Sequence, residues 1–175
     1  MQGHVMIEPA TIRQFTLAGL ATLTIKSLRT NKHYTYKVKQ AEDRATGEKQ
    51  ALWFVYVLAN GDQYLYAGVL NQFEAFKLTG KSRFSEGAES IQAFRYFWAG
   101  IQAGQIKPQL EIRHEGRCGR CGRELTTPES VDTGFGPDCA DMLGIVWAVR
   151  TAPAPATAAA PVSDGYAETS WGQPI

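Results

Sequence analysis

Charge of one sign is what this chain most obviously lacks. Its 18 basic and 17 acidic residues leave a formal net charge of +1 over 175 residues. That excludes an overall basic footprint of the kind that announces nucleic-acid binding. Cysteine is scarce as well, with three in the whole chain. Three thiols cannot pair completely, so a disulfide framework is excluded, and a reducing compartment is the expectation. No apolar run approaches membrane-spanning length, and no charged-then-apolar signal segment opens the chain. The expected location is therefore cytoplasmic, with no membrane partner.

The sequence is also short of catalytic groupings. Thr79-Gly80-Lys81-Ser82 imitates the end of a phosphate loop, but Ala75 stands where its first glycine is required. Thr126, Thr127 and Ser130 have no histidine beside them other than His114, while His4 and His33 lie elsewhere. No nucleophile–base pair emerges, and no small-molecule substrate is implied.

What is present is concentrated near the C-terminal end. All three cysteines and one of the three histidines fall in the pattern His114-x3-Cys118-x2-Cys121-x17-Cys139. A C-x2-C pair forms a tight knuckle around a metal, and Gly119 and Gly122 let the backbone bend there. His114, Cys118, Cys121 and Cys139 are the expected zinc ligands, in a closed and structural site. Met142 occupies the place of a second helix cysteine, so His114 is the substitute, with Asp138 or Asp141 as weaker alternatives. The expected order is knuckle, a hairpin over 123–134 turning at Thr127-Pro128, and a short helix over 138–143 carrying Cys139. That order is treble-clef-like. If His114 does not bind, the fourth position opens, and Glu115 or Glu129 is the candidate base of a zinc-dependent hydrolase or nuclease.

Upstream, hydropathy alternates with period two over 21–27 and 33–39, with a turn at Asn31-Lys32. Residues 41–50 read as a charged loop. The run 52–58 is apolar on both faces and is placed centrally in a sheet, and Asn60-Gly61 predicts a hairpin to a partner strand over 63–70. The period then lengthens. Ile91, Phe94, Trp98 and Ile101 mark one face of a helix over 86–103, capped by Ser85 and stopped at Gly104. Residues 109–114 read as a last strand that delivers His114.

The expected fold class is α+β, a small antiparallel sheet of four or five strands with one packed helix, followed by the zinc module and a disordered tail. The expected boundaries are an arm over 1–15, an α+β domain over 16–110, a zinc module over 111–147 and an Ala/Pro-rich tail over 148–175. Tyr166 and Trp171 in that tail belong to a frayed end or a docking peptide.

The signature Cys118-Gly119-Arg120-Cys121-Gly122-Arg123, then Leu125-Thr126-Thr127-Pro128-Glu129-Ser130, then Gly134-Phe135-Gly136-Pro137-Asp138-Cys139 resembles an uncharacterised domain-of-unknown-function family. Its members occur in phage and in bacterial mobile elements. The resemblance covers about residues 114–141. It implies a zinc-binding module and a phage or prophage origin, and it supplies no activity.

Two basic clusters remain. No acidic residue lies between Arg13 and Lys39, and Lys26, Arg29, Lys32, Lys37 and Lys39 are candidate phosphate contacts. In this register Tyr34 and Tyr36 face the core, which removes them as a stacking platform. Arg117, Arg120 and Arg123 surround the knuckle, where they compensate a negative site or contact a partner. The expected function is therefore non-enzymatic binding of a macromolecule. Nucleic acid, in a replication, recombination or transcription accessory role, competes nearly evenly with a host protein, as in an inhibitor of a bacterial defence system.

Overall fold

The computed structural model describes residues 3–71 and 76–145. The expected tail over 148–175, with Tyr166 and Trp171, lies outside the described residues. The fold is α+β. Six strands, all antiparallel, form one sheet: β1 (His4–Met6), β2 (Leu20–Ser27), β3 (His33–Glu42), β4 (Lys49–Asn60), β5 (Gln63–Leu70) and β6 (Leu110–His114). Their order is β1-β6-β2-β3-β4-β5. Helices α1 (Pro9–Leu17) and α2 (Glu89–Gln102) pack against it, and two one-turn helices, α3 (Pro128–Thr133) and α4 (Pro137–Met142), follow β6.

Alternation decides the two faces. Ala21, Leu23 and Ile25 of β2, Tyr36 and Val38 of β3, and Trp53, Val55 and Val57 of β4 point into one core. They meet Ile91, Phe94, Phe97, Trp98 and Ile101 of α2 there. Two polar tips in this core find partners, while the buried Trp98 Nε1 has none among the described residues. The Tyr36 hydroxyl donates to the Ser90 carbonyl at 2.7 Å, and Trp53 Nε1 donates to the Leu17 carbonyl at 2.9 Å. A buried donor left unpaired would cost a desolvation penalty, so these bonds pin both helices to the sheet.

Several boundaries differ from the sequence reading, each for a local reason. The arm expected over 1–15 contains β1 and most of α1. Pro9 starts that helix, where its missing N–H costs nothing. Ile12, Phe15 and Thr16 form its buried stripe, too short a pattern to stand out in the sequence. Helix α2 begins at Glu89 after Ala88, three residues later than expected, and Ser85 does not cap it. The loop expected over 41–50 shrinks because the Asp43 carboxylate accepts from the Ala45 and Thr46 N–H groups, at 2.7 and 3.1 Å. The chain turns tightly there, and β3 and β4 extend to Glu42 and from Lys49. The Asn60-Gly61 hairpin forms as expected, with Asn60 opposite Gln63. The 110/111 boundary falls inside β6. That strand lies between β1 and β2, so the cysteine-bearing segment hangs from the interior of the sheet.

Candidate metal centre

The segment after β6 folds back tightly on itself. Cys118 N–H donates to the Arg123 carbonyl at 2.8 Å, and Gly122 N–H donates to the Cys118 carbonyl at 2.8 Å, which closes the knuckle. Gly122 has φ +74°, in the left-handed region where a side chain is strained. An isolated antiparallel bridge joins Arg117 and Glu124. The hairpin expected over 123–134 is not there. Thr127 caps α3 instead, its side chain accepting from Ser130 N–H, because Pro128 at the first turn favours a helix start over a strand. A short helix carrying Cys139, α4, forms as expected.

This path brings Cys118, Cys121 and Cys139 together, their sulfurs all within 4.8 Å of one another. A tetrahedral metal–thiolate site with bonds of about 2.3 Å has sulfur–sulfur edges of roughly 3.8 Å, so the cluster needs only a small contraction around an ion. Three cysteines so placed can hold a metal ion. Cys118 and Cys139 are buried and Cys121 is exposed. Burial pushes the Cys118 thiol up, but the backbone N–H groups of Cys121, Gly136 and Arg120 outweigh it and hold the group below its ordinary value. Burial raises the Cys139 thiol, and the neighbouring thiols add to that, while Arg120 opposes it. Arg120 Nη1 lies 3.8 Å from Cys139 Sγ. Arg117 Nη1 donates to the Gly122 carbonyl at 3.3 Å. Arg123 lines a cavity of about 240 Å³ beside the sulfurs.

His114 is not with them. This corrects the expectation that it closes the site. It is 1% exposed, and both of its ring nitrogens are occupied. Gly116 N–H donates to Nδ1 at 3.1 Å, and Nε2 lies 2.8 Å from the Val131 carbonyl. A carbonyl only accepts, so the ring is the neutral Nε2–H tautomer. Its faces pack near His4 and Phe15, each with ring centroids 5.4 Å away. His114 thus ties β6 to α3. Burial holds its imidazole below the ordinary value, with the Val131 carbonyl opposing and His4 adding to the effect. A histidine lowered on folding contributes stability that is fully present above its unfolded value, about 6.5. That contribution is lost as pH falls from there through the folded value. The expected result is a His114 Cε1–H signal that titrates below the ordinary histidine value of about 6.5, read by NMR across pH 4–8. A His114 midpoint at or above about 6.5 would refute the assignment.

Phe15 of α1 is the wedge that seats this segment on the sheet. Its ring is 1% exposed and meets Phe135 with centroids 5.9 Å apart. A Cβ on Gly119 would lie 2.7 Å from the ring, and one on Gly134 2.6 Å. The second knuckle-region demand for glycine is therefore close approach, which spacing alone does not reveal. Gly119→Ala is expected to cost about 1–3 kcal/mol from overpacking, seen as an earlier midpoint in denaturant. An unchanged midpoint would mean the Phe15 wedge is not rigid.

The comparisons fit this local picture. Residues 108–144 match DUF6011, a family of unknown function. No curated protein and no solved structure matches the chain. The DUF6011 match begins two residues before β6 and ends two residues after α4, so it takes in the cysteine cluster and His114 together. Among the described residues, no helix is long and apolar enough to cross a membrane.

The remaining candidate contacts divide in two. Lys32 Nζ pairs with both Glu89 carboxylate oxygens, at 2.7 and 2.8 Å, and Arg29 lines a cavity beside them on the helix side. Lys26, Lys37 and Lys39 lie on the sheet face opposite the helices. Cross-strand pairs trace that face: Lys26 with Glu111 and Thr24 with Arg113, Thr24 with Thr35 and Thr22 with Lys37, then Lys37 with Tyr56 and Lys39 with Phe54. It continues through Tyr56 with Tyr66 and Leu58 with Tyr64. The rings cluster, Tyr66 lying edge-on to Tyr56 at 5.8 Å and to Phe54 at 6.3 Å. Lys37 Nζ sits 4.1 Å over the Tyr64 ring. Sequence reasoning looked for stacking residues on β3, where Tyr36 is indeed buried. It does not single out the four rings of β4 and β5, because the run over 52–58 is apolar on both faces and Tyr64 and Tyr66 fall in its hairpin partner. The signal was available in alternation: Phe54 and Tyr56 are out of phase with Trp53, Val55 and Val57.

Proposed function

We propose that the protein is a non-enzymatic binding protein that carries a single strand of nucleic acid on its open sheet face, with a zinc-knuckle module as a brace. The observation that carries this reading is the juxtaposition of Phe54, Tyr56, Tyr64 and Tyr66 with Lys37 and Lys39 on the face away from both helices. Aromatic rings accept stacked bases of any sequence, and lysines beside them neutralise phosphates. Near-neutral net charge is no obstacle when the cations gather on one face. Lys26, Lys37, Lys39 and Arg113 lie there against Glu111 and the nearby Glu115, and Glu111 is already paired with Arg113 at 2.7 Å.

Zinc is the reading for the metal because thiolate-rich tetrahedral donor sets favour it. The zinc's role is structural. The cysteine segment is anchored to β6 and to Phe15, so an ordered knuckle holds the edge formed by β1 and β6 in place. The motif's resemblance supports a phage or mobile-element setting.

The test is equilibrium binding of unstructured oligonucleotides across a salt series. Three phosphate contacts on a single strand predict a log–log slope of about −2. Single strands should bind more tightly than duplex of the same sequence, since paired bases offer no free faces. Absence of binding at low salt would overturn the reading and leave a protein as the target.

A further inference from the structure

We propose that the metal held by Cys118, Cys121 and Cys139 keeps its fourth coordination position open to a small neutral donor, a water exchangeable for an imidazole-type nitrogen. This rests on the zinc reading above. Among the described residues, the three cysteines are the whole convergent donor set of histidine, cysteine and carboxylate groups. His114 has no nitrogen to give, since both are bonded within the fold. The cavity of about 240 Å³ beside the sulfurs is lined by Thr126, Thr127, Ser130 and Asp138, with room and polar partners for a donor of a few atoms. Access comes from the side of Cys121, the exposed member of the three.

Charge selects the donor. Three thiolates on a divalent ion leave one net negative charge, which Arg120 offsets at Cys139. An anionic fourth ligand would raise that to two, against a single arginine, Arg123, in the cavity lining. A neutral donor needs no further compensation. The same thiolate charge keeps a bound water from ionising near neutral pH, unlike a site with three neutral histidines. The position therefore binds a ligand without making a hydrolytic nucleophile. Glu115 and Glu129 do not line the cavity; Glu124 and Asp138 do.

The experiment loads the full chain with Co²⁺ and follows its visible spectrum during an imidazole titration. The expected result is a saturable shift of the ligand-field bands while the thiolate-to-cobalt charge-transfer band persists. Asp138→Asn and His114→Ala are expected to keep both the starting spectrum and the response. A spectrum that ignores imidazole, or loses its charge-transfer band to it, overturns the proposal. So does a starting spectrum altered by Asp138→Asn, which would make that carboxylate the fourth ligand. Should His114→Ala fail to fold, the wild-type titration and Asp138→Asn decide the question. Absence of any charge-transfer band overturns the metal reading itself, and this proposal with it.

Discussion

Cys118→Ser is expected to release the metal and to lower the thermal midpoint of the whole chain by roughly 10 °C or more. Structural zinc contributes about 10–16 kcal/mol of apparent binding free energy in isolated zinc modules, and that energy is folding energy when no site exists in the unfolded chain. Here part of it is already supplied by protein contacts. Phe15 fills the space beside Gly119 and Gly134, and β6 is paired on both edges. A remaining contribution of several kcal/mol still moves the midpoint of a domain of this size by about 2–4 °C per kcal/mol. Cys118 is the position of choice because it is 1% exposed and its sulfur collects three backbone N–H groups. Serine keeps the shape and is a poor ligand for this ion. A circular-dichroism melt with and without chelator reads the effect. If chelation leaves the wild-type midpoint in place, the metal is not part of the fold.

The second large effect concerns the open face. Tyr56→Ala and Tyr64→Ala are each expected to weaken single-strand binding by roughly 5- to 150-fold, the range that one stacked base is worth on alanine substitution. Lys37→Ala and Lys39→Ala should act differently, each flattening the salt slope by about 0.7. Both classes of variant should fold, because these side chains point away from the core that holds Trp53, Val55 and Val57. Lys37 links the two effects, since its ammonium rests on the Tyr64 ring. A base arriving on Tyr64 must displace that ammonium or share the ring with it, so Lys37→Ala is expected to lose less affinity than Lys39→Ala. If the Tyr56 and Tyr64 variants bind as tightly as wild type, the rings are only packing on each other, and the strand does not run across β4 and β5.

The contrast between the two sites explains what could be read from the residues. The three cysteines were legible as one centre because metal ligation demands few residue types at restricted spacings, and C-x2-C spacing is set by local backbone geometry. The fourth ligand was not legible. His114 has the right chemistry and the right distance in sequence, yet β6 sets its side chain on the core face, where Gly116 and Val131 take both nitrogens. Whether a buried histidine ligates or ties the chain together depends on which polar groups of distant segments reach it first. The aromatic platform failed for a different reason. Alternation puts Phe54 and Tyr56 on the face opposite Trp53, Val55 and Val57, but both faces are apolar, and only the placement of α1 and α2 on one side shows which is open.

By itself the sequence determined the α+β class, the strands over β2 to β5, the Asn60-Gly61 turn, the presence of α2 and the clustering of the cysteines. These follow from periodicity, turn stereochemistry and local spacing, which act over a few residues. Tertiary structure alone decided that β6 inserts between β1 and β2, that Phe15 seats the knuckle, that His114 braces α3, and which lysines share a face with the rings. Those outcomes depend on contacts between segments as far apart as Phe15 and Phe135, where packing, and not local preference, sets which groups meet.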